Sequence, residues 1–451
     1  MLSISIPASF VPERSYSIEI LIHECLGLNY SLITDPLISD YHICLPNNDN
    51  IIIEDHFFSG IPDNNSYIKE ANIPVSVDYF DQRFADEKKI PIIYGRNFLS
   101  VDQSNLNKII TCGADIFASS FFMLSRWEES AIKYRDKRQR FDDDLSLSRR
   151  IGFDQRAIVN EYSLLLKNII EYCGYNAMHG TRFYSVRPTH DVDLFFRYRS
   201  YRDIFRAIGG DLMISNSPSQ CYNTLKEFAG IKMKKRKDPY DNFDFLMSTS
   251  ESLGLASLFY FIPADGKEYG CNYLLSDKFV KPTITKIISR GHSIGLHSSY
   301  NSYNDKRMLH TGFKRLSSVC PGISEGRQHY LRFDNPVTWQ ILDDCGLKTD
   351  STLGFSSGGG FRCGICHEYS VFDIVTRKKL HLKEFPLIMM DAAMRKQYPD
   401  YKGFFDNAIY LADECKKHNG VFTFLWHNNS FNTPEWNRIS CHYSEFLNSI
   451  T

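Results

Sequence analysis

No stretch of the 451-residue chain approaches the roughly 20 consecutive apolar residues that cross a bilayer, so no membrane-spanning helix is expected. The opening MLSISIPASFVPERSYSIEILIHECLGL has neither a basic start nor an uninterrupted apolar stretch, and so does not read as a secretory signal. An excess of one charge is also missing. Lys plus Arg number 52 against 53 Asp plus Glu, a formal net charge of −1, so no global field draws the protein to nucleic acid or to an anionic membrane. The 12 cysteines stand singly apart from Cys363 and Cys366, and without a signal reduced thiols are the default. A soluble, cytoplasmic protein is expected. There is no internal repeat and no long low-complexity segment.

The length suggests two or three domains at ~150 residues each. Aromatic residues are plentiful, with 33 Phe and 26 Tyr. Carbohydrate-handling clefts are often aromatic, but a Phe-rich core is the simpler account. Up to residue 175 the chain reads as a mixed α/β unit. Short apolar strands such as IIIEDHFF and IPIIYG are separated by the turn sequences LPNNDN and IPDNNS. A helix is expected over Asp115–Ser130, with Ile116, Phe117, Phe121, Met123 and Leu124 on one buried face. A second amphipathic helix over Ala157–Tyr172 leads to a loop around Gly174–Gly180.

From Arg182 the texture changes. Strand-like FYSVRPTHDVD, LASLFYFIPA, HSIGLHSS and VFTFLWHN alternate with helix-like runs near Phe243–Leu253, Lys281–Ser289, Lys306–Ser318, Pro336–Cys345 and Phe404–Lys417. Alternation of this length implies crossover connections and a parallel sheet or barrel, whose chemistry gathers at the C-terminal ends of the strands. The expected organisation is therefore a parallel α/β sheet or barrel over 180–451 behind a smaller α/β domain over 1–175. The basic run Lys232–Lys237 reads as a solvated surface insertion.

Four polar clusters close successive strands. In Thr189-His190-Asp191-Val192-Asp193, strand alternation puts both acids on one face. Two such carboxylates repel unless one holds a cation or proton, leaving the other free as a base. His297 ends GHSIGLHSS, with Asn301 four residues on; an imidazole there suits a metal or a hydrogen-bonded turn equally. In RQHYL, Arg327 can orient a carboxylate bidentately and His329 adds a second imidazole. His427, in LWHN, is placed to exchange protons near neutral pH.

Taken in this order the motifs resemble those of the polysaccharide deacetylase (NodB-homology) superfamily of metal-dependent carbohydrate de-N-acetylases, over about Arg182–Thr451. The resemblance implies a distorted or incomplete (β/α) barrel of deacetylase type with Asp191 as base, Asp193 and His297 as metal ligands, Arg327 steadying Asp191, and His427 as acid. The family's second metal-binding His falls on Asn301, so the third ligand is either Asn301 or, as favoured here, His329. A divalent metal is implied, Zn²⁺ first, with Co²⁺, Ni²⁺ or Fe²⁺ as alternatives. The backbone near Tyr330 is expected to help bind the acetyl oxygen. DIFASSFFMLSRWEE, RQHYL and GFRCGICH further resemble a bacterial subgroup with an extra N-terminal domain, associated with surface-polysaccharide synthesis. An N-acetylated sugar or glycan precursor is the implied substrate.

Further candidates for substrate contact are Trp426, Glu384, which could instead orient His427, and Arg362, in the SSGGGFR stretch expected to form a flexible loop over the pocket. Arg126, Glu128 and Glu129 are placed at the interface with the catalytic domain or in solvent. Cys363-Gly364-Ile365-Cys366-His367 matches the c-type haem pattern, which belongs to exported proteins and is set aside; a redox pair stays open. Two other functions fit the same residues: a non-catalytic carbohydrate-binding or assembly protein, and a metal-independent amidohydrolase. The oligomeric state is not legible.

Overall fold

The computed structural model describes residues 1–62, 66–103, 107–175, 182–199, 203–205, 208–209, 218–433 and 436–451. Most of the expected loop around Gly174–Gly180, and with it the junction between the two expected domains, falls on 176–181, outside the described residues.

The N-terminal segment builds a six-stranded sheet from β1 (Leu2–Pro7), β2 (Tyr30–Asp35), β3 (Tyr41–Cys44), β4 (Asn50–Ile53), β7 (Gly95–Gln103) and β8 (Lys108–Ala114), in the order β2-β1-β3-β4-β8-β7. A two-stranded ribbon, β5 (Asp78–Phe80) with β6 (Ile90–Ile92), lies beside it. Alternation explains β1: Leu2, Ile4 and Ile6 are buried while Ser3 and Ser5 are half-buried.

The helix expected over Asp115–Ser130 is two helices. Asp115 caps Ile116–Ser125 by accepting from the Ala118 N–H at 3.0 Å. The run ends where Arg126 turns left-handed (φ 53°), and Trp127–Ala131 follows. Every residue of Ile116–Ser125 is buried, so the helix has no solvent face and no single apolar stripe. It wedges against the second sheet: the Phe121 ring lies 5.3 Å from Phe372, and the Tyr369 hydroxyl donates to the Leu124 carbonyl at 3.1 Å. One hydrophobic cluster runs from Leu2 to Ile450 through both sheets.

The second sheet has nine strands: β9 (Ser185–Val192), β10 (Leu258–Phe261), β11 (Ser293–Ser298), β12 (Glu325–Gln328), β13 (Thr349–Asp350), β14 (Tyr369–Asp373), β15 (Lys378–Glu384), β16 (Met389–Met390) and β17 (Val421–Leu425). Their order is β14-β15-β13-β12-β11-β10-β9-β17-β16, parallel throughout except for β14 against β15. Helices Phe243–Glu251, Val280–Ser289, Lys306–Val319, Val337–Asp344 and Tyr401–Lys417 supply the crossovers.

The sheet is curled. In a flat sheet β9 and β15 would lie about 24 Å apart, five spacings of about 4.8 Å. Instead the Arg187 guanidinium on β9 sits 3.9 Å from the Phe385 ring just beyond β15. Residues 385–388 alone carry the chain from β15 to β16 at the opposite edge. No ladder joins the two edges among the described residues, so the architecture is a half-barrel, not a closed one.

The SSGGGFR stretch is not a loop over the pocket. Arg362 is buried and donates to both carboxylate oxygens of Glu129, at 3.0 and 2.7 Å, while Arg126 donates to Glu129 at 2.9 Å and Glu128 at 2.6 Å. These groups are neither solvated nor open to substrate, because four buried charges neutralise one another between the two halves of the chain. Phe361 N–H to Asp154 O (2.7 Å) and Val159 N–H to Gly364 O (2.8 Å) complete the seam. Burial pushes the Cys363 thiol up to about 12, which gives it no thiolate character at neutral pH.

Arg362→Ala should therefore lower stability by about 3–5 kcal/mol, the usual cost of breaking a buried pair. The denaturation midpoint measures the loss, and activity per folded molecule should be unchanged.

The Lys232–Lys237 run is exposed, as a solvated insertion requires. Among the described residues no helix is long and apolar enough to cross a membrane.

Candidate active site

The site lies where β9, β11, β12 and β17 end. Alternation along β9 sends Thr189 and Asp191 to the cavity side and His190 into the core. There His190 Nδ1 meets the Trp426 carbonyl at 2.7 Å, and burial lowers its pKa to about 4. Asp191 is buried, and Arg327 Nη1 donates to its Oδ1 at 2.9 Å and to Thr189 Oγ1 at 2.9 Å. The other edge of the guanidinium donates to Ser351, to the carbonyl at 2.8 Å and to Oγ at 2.9 Å. Arg327 is fully buried and fixed on both edges, so it presents Asp191 in one orientation.

Asp193, His297 and His329 bring one ligand atom each within 4.8 Å of one another. His297 Nε2 lies 3.2 Å from Asp193 Oδ1 and 3.5 Å from Asp191 Oδ2, and His329 Nε2 lies 3.6 Å from Asp193 Oδ1. Ligands about 2.1 Å from a tetrahedral ion stand about 3.4 Å from each other, so these spacings suit a shared cation. The hydrogen bonding agrees. His297 Nδ1 donates to the Arg327 carbonyl at 3.0 Å, which leaves Nε2 as the free lone pair.

Asp193 Oδ1 and both nitrogens of His329 are buried with no hydrogen-bond partner. Such atoms call for an ion, a ligand or water to complete them. Electrostatics point the same way: burial opposes charge on both groups, yet the two carboxylates raise the His297 pKa, and His329 and His297 hold the Asp193 carboxyl well below its usual range.

A second cluster, Glu161 with Glu414 and His418, is a weaker candidate because Arg156 already holds Glu161 through two bonds at 2.9 and 2.6 Å.

His427 faces the trio, with Nε2 3.8 Å from Asp193 Oδ2. Its Nδ1 donates to Asp391 Oδ1 at 2.7 Å, and its backbone N–H to Asp391 Oδ2 at 2.9 Å. Burial alone would depress the imidazole, but Asp391, aided by Asp193 and Asp191, outweighs it and raises the pKa to about 10. An imidazole so held is protonated at neutral pH and can give up a proton from Nε2.

These side chains surround a cavity of about 300 Å³, lined also by Arg140, Tyr330, Leu331, Met390 and Trp436. It lies at the small end of ligand pockets.

The structure thus brings together Asp191, Asp193, His297, Arg327, His329, Tyr330 and His427. Four other candidates stand apart. Asn301 is exposed beyond the end of β11, accepts from Arg332 Nη1 at 3.2 Å and does not line the cavity. Trp426 is buried among Phe404, Phe431 and Tyr443, because neighbours of a strand-end His face opposite ways. Glu384 is buried, accepting from Leu353 N–H at 2.8 Å and Trp339 Nε1 at 3.2 Å; Asp391, not Glu384, orients His427. Arg362 serves the seam described above.

Two residues escaped the sequence reading. Asp391 opens the helix Asp391–Gln397 directly after β16, and an acid following a strand was its one signal. Arg140 reaches the cavity from the N-terminal segment, and nothing local marks it.

A family model described as a family of unknown function, DUF7033, matches residues 2–174. No curated protein matches the chain. Similar solved structures include a Mycobacterium smegmatis protein assigned as a polysaccharide deacetylase (13% identity, 61% of this chain and 86% of that one, TM-score 0.38). Another is a Bordetella bronchiseptica protein assigned as a polysaccharide deacetylase of O-antigen biosynthesis (11%, 54% and 71%, TM-score 0.27). A third is a 4-α-glucanotransferase from Thermococcus litoralis (12%, 60% and 37%, TM-score 0.35). With TM-scores this low, the chemistry has to be read from the site's own atoms.

Proposed function

We propose that the protein is a metal-dependent hydrolase that removes the acetyl group from an N-acetylated sugar or glycan precursor. The observation that carries this reading is the cluster Asp193, His297 and His329, with Asp193 Oδ1 and both His329 nitrogens left without hydrogen-bond partners, set between a carboxylate fixed by arginine and an imidazole fixed by carboxylate. A binding module has no need of that set.

The trio would hold a divalent ion, Zn²⁺ being best suited to one carboxylate and two imidazoles; bound there, it supplies a lowered water pKa and a polarised carbonyl. Asp191, held by Arg327, accepts the proton of the attacking water. Tyr330, through its backbone N–H, is the candidate donor to the developing oxyanion. His427, held protonated by Asp391, gives its Nε2 proton to the departing amine as the C–N bond breaks. Acetate and a free amino sugar leave. The motif resemblance to a subgroup associated with surface-polysaccharide synthesis supports a place for this step there.

Chelation tests the reading. Acetate release from N-acetyl sugars should be abolished by a chelator and restored by added Zn²⁺ or Co²⁺. Release that a chelator does not touch would point instead to a metal-independent amidohydrolase.

A further inference from the structure

His329 differs from the other two site histidines. His297 and His427 are each oriented through Nδ1, by the Arg327 carbonyl and by Asp391, whereas neither nitrogen of His329 makes a hydrogen bond to the protein, its Nε2 only lying 3.6 Å from Asp193 Oδ1. A ligating His almost always has such a partner, so packing must orient this one. Its ring stacks on Tyr330 (4.4 Å, 30°) and meets His297 edge-on at 4.9 Å. Tyr330 in turn occupies an unusual backbone. It and Leu331 are successive non-glycine residues at φ 60° and 54°, a conformation that persists only where surroundings impose it.

The imposing contacts come from nearly 200 residues away in the chain. Residues 136–140 close on themselves through Asp136 N–H to Arg140 O (2.9 Å) and Gln139 N–H to Asp136 O (2.8 Å). The Asp136 carboxylate also accepts from the Arg138 and Arg140 N–H groups, at 2.8 and 2.9 Å, and from the Arg140 guanidinium at 2.9 and 2.8 Å. From this rigid turn Arg140 Nη1 donates to the Tyr330 carbonyl at 3.0 Å, and the Arg138 guanidinium lies 4.0 Å over the Tyr330 ring. The Arg138 carbonyl accepts from Arg332 Nε at 2.9 Å, just past the strained pair. Gly270 shuts the other approach, since a Cβ there would meet His329 Cε1 and the Tyr330 hydroxyl at 2.9 Å.

We propose that the turn 136–140 is the orienting shell of His329. Arg138 and Arg140 are positioning residues that hold Tyr330, and Tyr330 holds the imidazole toward Asp193 and His297. The segment matched by the family of unknown function therefore completes a site built by the second sheet. This rests on the reading of His329 as a metal ligand.

The test is a Co²⁺ titration of metal-free, full-length protein, followed by the visible d–d bands. The unsubstituted protein should bind about one equivalent with tetrahedral bands. Arg138→Ala and Arg140→Ala should bind about 10–100-fold more weakly with altered bands, circular dichroism being unchanged, and Arg140→Lys should recover part of the loss. Tyr330→Leu, which leaves the turn intact, should behave like Arg140→Ala and serves if the arginine variants fail to fold. Folded variants with unaltered affinity and bands would overturn the clamp alone. No Co²⁺ uptake by the unsubstituted protein would overturn the metal reading, and the clamp with it.

Discussion

Asp191→Asn should reduce turnover by about 10³-fold, within the 10²–10⁴ that a positioned general base contributes, while metal content stays unchanged. The substitution keeps an oxygen for Arg327 Nη1 to donate to, so geometry is largely preserved. What is lost is the negative charge that accepts water's proton. The buried Arg327 charge loses its counter-ion, so some stability is lost as well. Steady-state rates per folded molecule, with metal measured on the same samples, separate the two effects. Turnover within a few-fold of the unsubstituted enzyme would remove Asp191 from the mechanism.

The second large effect belongs to Asp391. Its carboxylate raises the His427 pKa to about 10 despite burial, so His427 stays protonated as pH rises through neutrality and loses its proton only well above. Asp391→Asn removes that support and lets burial pull the pKa down. The alkaline limb of the kcat profile should move to lower pH, with turnover at pH 8 falling about 10²-fold. His427→Gln should show a similar loss with no pH-dependent recovery. An unmoved alkaline limb in Asp391→Asn would mean that another group supplies the proton.

Much of this site could be read from the order of the motifs. Asp191, Asp193, His297, Arg327 and His427 each lie within two residues of a strand's C-terminal end, and a parallel sheet collects such positions at one edge. The misplacements have physical causes. Trp426 precedes His427, and the same period-two alternation that aims the imidazole at the cavity aims the indole at the core. Arg362 looked like a loop residue because Gly358, Gly359 and Gly360 precede it, yet those glycines let the chain pass where a Cβ would strike Gln397, Leu411 or Asp154. The helix expected over Asp115–Ser130 breaks at Arg126, whose left-handed turn is held locally by its side chain's bonds to Glu128 and Glu129 and, from far along the chain, by Asn335 donating to its carbonyl.

Partners distant in sequence were beyond reach. Arg140 acts on Tyr330 through tertiary contact alone, with no local pattern to report it. Asp391 follows the two-residue strand β16, too short to show periodicity.

Metal content tests the central claim most directly. Protein purified without tag or chelator, and its His297→Ala variant, would be compared by mass spectrometry. The site geometry predicts about one equivalent of Zn, Co, Ni or Fe in the former and its loss in the latter. No bound metal, and none taken up on addition, would contradict a metallo-deacetylase and leave a metal-free hydrolase or a binding protein on the same fold.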